Sequence, residues 1–230
     1  MKILAIDSSY KVASAALFIN NSKAYELYTD GGQKHSETLL PLIEKLFDKS
    51  NLNSANIDIF ACTTGPGSFT GTRIAVSVVK GLALPHNARC IGISTLESLA
   101  HNALDFDGCI CPVLNARRDT YYNAFFTSNS EKLNQICDDR QIHVEDLIEE
   151  LSKLNKPVIL LGDGANACYN RILEGNMSIN AKIAPESLLN VKASAIAMIA
   201  AKHTNFTTPE NLTVKYLHAT EAERNINNKS

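Results

Sequence analysis

Between an apolar run and an apolar helical pattern lies Thr64-Gly65-Pro66-Gly67-Ser68-Phe69-Thr70-Gly71-Thr72-Arg73, with three glycines, one proline and four hydroxyl side chains in ten residues. Ile57 to Thr63 before it reads as a short buried strand. Ile74 to Leu84 after it carries apolar residues at helical spacing, so the stretch is a strand-to-helix turn. Gly65, Gly67 and Gly71 permit positive φ and close backbone approach there. Thr70 or Thr72 is placed to cap the helix, whose free N–H groups attract anions or carboxylates.

Three chemistries compete for this turn. A Walker-type phosphate cradle needs a lysine immediately after its last glycine, where this chain has Thr72 and Arg73. A nucleophile elbow at Ser68 needs Gly-x-Ser-x-Gly, and the glycine stands directly before Ser68 instead, which also argues against a peptidase acting through Ser68. What remains is a rigid structural loop, Gly65, Gly67, Ser68, Thr70, Gly71 and Arg73, setting the angle of the next helix.

Other segments stand in order around the loop: Ile6-Asp7-Ser8-Ser9, His35-Ser36 with Leu39-Leu40-Pro41, Ser94 to Ala100, and Asn115-Ala116-Arg117-Arg118. With Gly65 to Ala83 they resemble the TsaB (YeaZ) family, strongly over most of residues 1–125 and weakly beyond. That resemblance implies a non-catalytic subunit of bacterial threonylcarbamoyladenosine synthesis on transfer RNA. In the implied pathway the threonylcarbamoyl group goes to adenosine 37 of transfer RNAs that read codons beginning with adenine. The implied partners are the catalytic paralogue TsaD, the ATPase TsaE, a second copy of the chain in isolation, and transfer RNA mainly through TsaD. No intrinsic cofactor is implied, and ATP or ADP is expected at the junction with partner subunits.

Charge agrees with a borrowed grip on RNA: 22 basic against 24 acidic residues give a formal net charge of −2, far from a nucleic-acid footprint. The six cysteines, at 62, 90, 109, 111, 137 and 168, form no framework of the small secreted kind and read as buried thiols of a cytoplasmic protein. Cys109 and Cys111 lie in a strand pattern that points both the same way, a core reading. The start meets Asp7 too soon for a signal peptide, and no run approaches a membrane span, so no membrane partner is expected.

Taken in order, the chain reads as three strands, helix, strand, helix, strand, helix, with a hairpin turn at Asn20-Asn21. The same order returns after Gly108. A repeat of supersecondary units is a fold-level signal. The expected fold is α/β: two ribonuclease-H-like lobes as in the actin and sugar-kinase (ASKHA) superfamily, at residues 1–107 and 108–220, the second degenerate, with a polar tail at 221–230. The family resemblance implies the same fold.

In that superfamily ATP sits between the lobes with a metal-associated carboxylate. Asp7 with Ser8 and Ser9 stands at the first phosphate loop, but Asn115 at its counterpart carries no charge. Gly162-Asp163-Gly164-Ala165 is the one stretch resembling a second phosphate loop. The blander readings are that Asp7 braces a nearby turn, that Asp163 starts a helix where its charge suits the dipole, and that Arg117-Arg118 is a solvated turn. No two of the six histidines, at 35, 86, 101, 143, 203 and 218, are three to five residues apart, so the paired-histidine metal motif is absent. An autonomous ATP-dependent kinase or ATPase, with Asp7 and Asp163 at the phosphates, stands as the alternative, and a homodimeric scaffold with another partner as a further one.

Two helices carry wide apolar arcs. Leu39, Leu40, Leu42, Ile43, Leu46 and Phe47 cover roughly 160°, and Ile74, Ala75, Val76, Val78, Val79, Leu82 and Ala83 roughly 200°, where a helix on one sheet needs about 100°. Packing between layers of the same chain or an interface would each explain the excess. The family resemblance points to pairing through these helices, at Leu39, Leu42, Ile43 and Leu46 on the first and Ile74, Val78 and Leu82 on the second, with Ala75 and Gly81 allowing close approach. Near the C-terminus Val214-Lys215-Tyr216-Leu217-His218 departs from the family's Pro-x-Tyr-Leu-Arg.

Overall fold

The computed structural model describes residues 1–29, 34–175 and 178–217. The first half forms β1 (Lys2–Asp7), β2 (Ser14–Ile19), β3 (Ser22–Tyr28), α1 (His35–Ser50), β4 (Ile59–Gly65), α2 (Phe69–Ala83), β5 (Arg89–Ser94) and α3 (Thr95–Ala100). The second repeats it with β6 (Cys109–Asn115), β7 (Thr120–Ser128), β8 (Leu133–His143), α4 (Val144–Ser152), β9 (Val158–Leu161), α5 (Ala165–Glu174), β10 (Ala181–Ile183) and α6 (Ala193–Lys202). The sheets are ordered β3-β2-β1-β4-β5 and β10-β9-β6-β7-β8, the same winding read from opposite edges. This is the two-lobed α/β fold of the actin and sugar-kinase type.

β1 lies at the centre of its sheet, antiparallel to β2 and parallel to β4. Covered on both faces, it reads as a continuous apolar run rather than an alternation. Leu4 and Ile6 pack toward α1 and α2, while Ile3 and Ala5 face the other way, into a cluster containing Ile196 and Ala200 of α6. Asn20 and Asn21 both take positive φ, 53° and 64°, the two-residue turn that suits the strands' twist.

α6 packs on β1, β2 and β4 of the first sheet, and α3 on β6, β7 and β8 of the second. A single apolar cluster runs from Ile3 and Phe18 through Leu96, Leu99 and Ile196 to Ile110, Phe126 and Leu161. α6 is buried on nearly all sides, with alanines allowing close layers, which is how a helix apolar all round is used. After α6 the chain runs back along the first lobe. Thr207 bridges Cys90 at the edge of β5, Lys80 Nζ donates to the Glu210 and Leu212 carbonyls, and Lys215 N donates to Thr64 O. His218 and the expected polar tail at 221–230 lie outside the described residues. Among the described residues no helix is long and apolar enough to cross a membrane.

Candidate functional site

The glycine-rich turn joins β4 to α2 and is seated on the turn after β1. Ser68 N donates to Ser9 O at 2.8 Å, and Ser8 Oγ donates to Gly71 O at 2.8 Å. A Cβ at Gly71 would overlap the Ser8 carbonyl oxygen. Gly65 has φ +117°, and a Cβ there would stand 2.7 Å from Lys215 O, so conformation and close approach both require glycine. Neither Thr70 nor Thr72 caps α2, which corrects the sequence expectation. The helix begins at Phe69, and the residue before it, Ser68, accepts from Gly71 N at 3.2 Å. Thr72 Oγ1 instead donates back to Ser68 O at 3.0 Å.

The seated loop covers the end of β1. Asp7, Ser8 and Ser9 are all fully buried. Asp7 Oδ1 accepts from Ser9 N at 3.1 Å, Ser9 Oγ at 2.6 Å and Thr63 Oγ1 at 2.5 Å, while Oδ2 is buried without a hydrogen-bond partner. Burial raises the Asp7 pKa, offset in part by the Ser9 and Thr63 hydrogen bonds and by His35 nearby. A carboxyl raised above its ordinary 3.8 in the folded state favours folding in the protonated form. The wild type is therefore expected to lose stability relative to Asp7→Asn as pH rises from about 3.8, reaching a constant deficit above the folded-state pKa. Denaturant titrations of both proteins across that range measure it.

Tyr10 crosses between the lobes, its hydroxyl donating to Asn115 O at 3.4 Å, and burial raises its pKa strongly. His35 Nε2 lies 2.5 Å from Tyr10 O, tying the start of α1 to the same turn. Asp163 does not cap α5, correcting that expectation. Its Oδ1 accepts from Asn115 N at 2.9 Å, and Gly164, at the head of α5, makes no side-chain cap. A charged end at β9 is drawn to the orphan amide at the end of β6 rather than forward along its own helix. The superfamily's nucleotide does not fit this arrangement. Its carboxylate is sealed, its first phosphate loop is covered by residues 65–71, and Tyr10 bridges the lobes.

Positions expected on a partner face divide. Leu39, Leu42, Ile43 and Leu46 of α1 and Ala75 of α2 are buried in the chain's own core, against Leu4, Ile6, Leu17 and Phe60. Residues 39, 42, 43 and 46 are the i, i+3, i+4, i+7 stripe that a sheet-packed helix buries, and the surplus residue is Leu40, which is 46% exposed. α2 differs. Gly71, Thr72, Ala75, Val76, Val79 and Ala83 face inward, and Ile74, Val78 and Leu82 form a second stripe that is half-buried. Gly81 on that side is exposed, with open space where a Cβ would stand. Phe69 and Leu84 are exposed at the two ends of α2, on a flank away from that stripe, and the sequence reading assigned neither to a partner face. Arg73 is exposed beside Phe69 and Tyr216.

Fold and site together define a two-lobed protein of the actin and sugar-kinase type, with the carboxylate at the end of β1 buried and a half-buried apolar stripe on α2 beside the first lobe's core. The family model for TsaD, tRNA N6-adenosine threonylcarbamoyltransferase, matches residues 23–225. A Bacillus subtilis (strain 168) protein named tRNA threonylcarbamoyladenosine biosynthesis protein TsaB is 29% identical over 223 residues, covering 97% of this chain and 96% of its own. The Escherichia coli (strain K12) protein of that name is 32% identical over 124 residues, 53% of each. The structure of YeaZ from Pseudomonas aeruginosa superposes with a TM-score of 0.77 at 21% identity, over 94% of this chain and 99% of that one. The chain belongs to the TsaB (YeaZ) family, within the wider threonylcarbamoyltransferase family that the TsaD model describes.

Proposed function

We propose that this chain is an accessory subunit of tRNA threonylcarbamoyladenosine biosynthesis, without chemistry of its own, that pairs through the outward side of α2 with a TsaD-type catalytic paralogue. The observation that carries the reading is the second stripe of α2, Ile74, Val78 and Leu82, beside the open Gly81. Half-exposed apolar side chains flanking a glycine let another helix approach closely, and a stable interface buries about 1,200 to 2,000 Å². The names of the relatives supply the pathway, and the sealed Asp7 supports the absence of catalysis.

In isolation the same face would join two copies. The near-neutral charge supports transfer RNA being held mainly by the paralogue, with a TsaE-type ATPase joining the pair and adenine nucleotide bound at the subunit junction. The free cysteines are consistent with a cytoplasmic setting.

Reconstitution with purified partners tests the reading. Modification of transfer RNA is expected to require this chain, to survive Asp7→Asn, and to proceed although the chain alone does not turn over ATP. Turnover by the chain alone, lost in Asp7→Asn, would favour the kinase or ATPase alternative. A second expectation concerns the fold alone. Because nothing lies near a Cβ at residue 81, Gly81→Ala is expected to raise stability by about 0.5–1 kcal/mol, read from chemical denaturation.

A further inference from the structure

Where the head of α1 meets the end of β1, two buried polar atoms are left over. Asp7 takes all three of its donors on Oδ1, from Ser9 N, Ser9 Oγ and Thr63 Oγ1, and Oδ2 is buried with no partner. His35, the first residue of α1, has Nε2 against Tyr10 O, and its Nδ1 is likewise buried with no partner. A carbonyl oxygen only accepts, so Nε2 carries the proton and Nδ1 of the neutral ring presents a lone pair. An ionised Asp7 presents another at Oδ2. Folded interiors rarely leave such acceptors unpaired.

Both atoms belong to one turn. Asp7 and Tyr10 are three residues apart, His35 is held on the Tyr10 carbonyl, and the charge of His35 acts on the Asp7 carboxyl. Yet no direct hydrogen bond joins the two side chains. The hydroxyls of the turn are spent, Ser9 and Thr63 on Oδ1 and Ser8 on Gly71 O. Among the described residues no three His, Cys, Asp or Glu side chains are grouped as metal ligands. Two acceptors, close but unbonded, call for one small neutral molecule with two donors.

We propose that a single internal water donates one proton to Asp7 Oδ2 and the other to His35 Nδ1, pinning the head of α1 to the turn that ends β1. Such a bridge is nearly as good as a direct hydrogen bond. Protonation of Asp7 makes Oδ2 a donor, and the water then turns to accept from it, so the bridge survives titration of the carboxyl. Lys34, before α1, supplies no side-chain cap, which leaves His35 to fix this end of the helix. The same turn seats the head of α2, through Ser68 N on Ser9 O and Ser8 Oγ on Gly71 O. His35 is therefore a positioning residue at the joint where both helices meet the sheet.

A crystal structure fine enough to place single waters tests this, with one water expected about 3 Å from both atoms. In solution, nuclear Overhauser spectra should show a long-lived water against the His35 ring, and 15N spectra at pH 8 the Nε2–H tautomer. Asp7→Asn keeps a polar atom in place of Oδ2 and is expected to keep the water. His35→Phe keeps a ring and loses both nitrogens. It should lose the water and exchange the amides of residues 39–42 about tenfold faster, with β9 in the other lobe unchanged. A direct Asp7–His35 hydrogen bond, a metal ion on Oδ2, an Nδ1–H tautomer, or no water touching both atoms would overturn the proposal. Unchanged exchange in a folded His35→Phe would overturn the pinning of α1. Should that variant not fold, the wild-type crystal and 15N spectra decide.

Discussion

Gly71→Ala is expected to destabilise the folded chain by about 3 kcal/mol and to lower Tm by about 6–12 °C, at the upper end of what overpacking costs in a chain this long. In an ordinary helix interior the same change stabilises, by about 1 kcal/mol. Here the added methyl meets the Ser8 carbonyl, a backbone atom that cannot swing aside. The loop must lift from the β1–β2 turn, breaking the Ser68-to-Ser9 and Ser8-to-Gly71 hydrogen bonds and exposing the end of β1. Thermal melts and amide exchange at Ser8 and Ser9 measure it. Gly81→Ala, ten residues further along α2, is the internal control with the opposite sign.

Leu42→Asp is expected to unfold the chain. Leu42 is 7% exposed and packs in the cluster with Leu4, Ile6 and Phe60, so an aspartate there buries a carboxylate with no partner. That costs about 4 kcal/mol or more, a large share of the ~5–15 kcal/mol that holds a domain together. Far-UV circular dichroism or an insoluble product would report it. Val78→Asp, on a half-buried position of α2, should stay folded with a cost of about 1 kcal/mol. The contrast separates a fully buried stripe from a half-buried one on neighbouring helices.

Much of the fold was legible because local signals agree with it. The Asn20-Asn21 turn, strand Val158–Leu161 and helix Ala165–Glu174 could be placed to the residue from turn chemistry and period alone. The harder information concerns which neighbour an element meets. Period told that residues 39, 42, 43 and 46 form a stripe, but not that α1 has a sheet face waiting for it. α6 follows the second lobe in sequence and packs on the first, because an Ala-rich helix apolar all round suits any pair of layers. Ser68 as the cap was hidden by three other hydroxyl residues within four positions of it, and Asp163 by a long-range amide that only the sheet brings near. The loop's family signature was readable, whereas its seat on Ser8 and Ser9 needed coordinates.

One measurement bears most directly on the central claim: sedimentation of the chain mixed with its TsaD-type paralogue, wild type against Val78→Asp. An unpaired carboxylate buried on docking costs several kcal/mol, at 1.4 kcal/mol for each tenfold, enough to remove a micromolar complex. The account predicts a mixed complex for the wild type and separate species for a folded Val78→Asp. A wild type that never pairs, or a variant that pairs with undiminished strength, would contradict it.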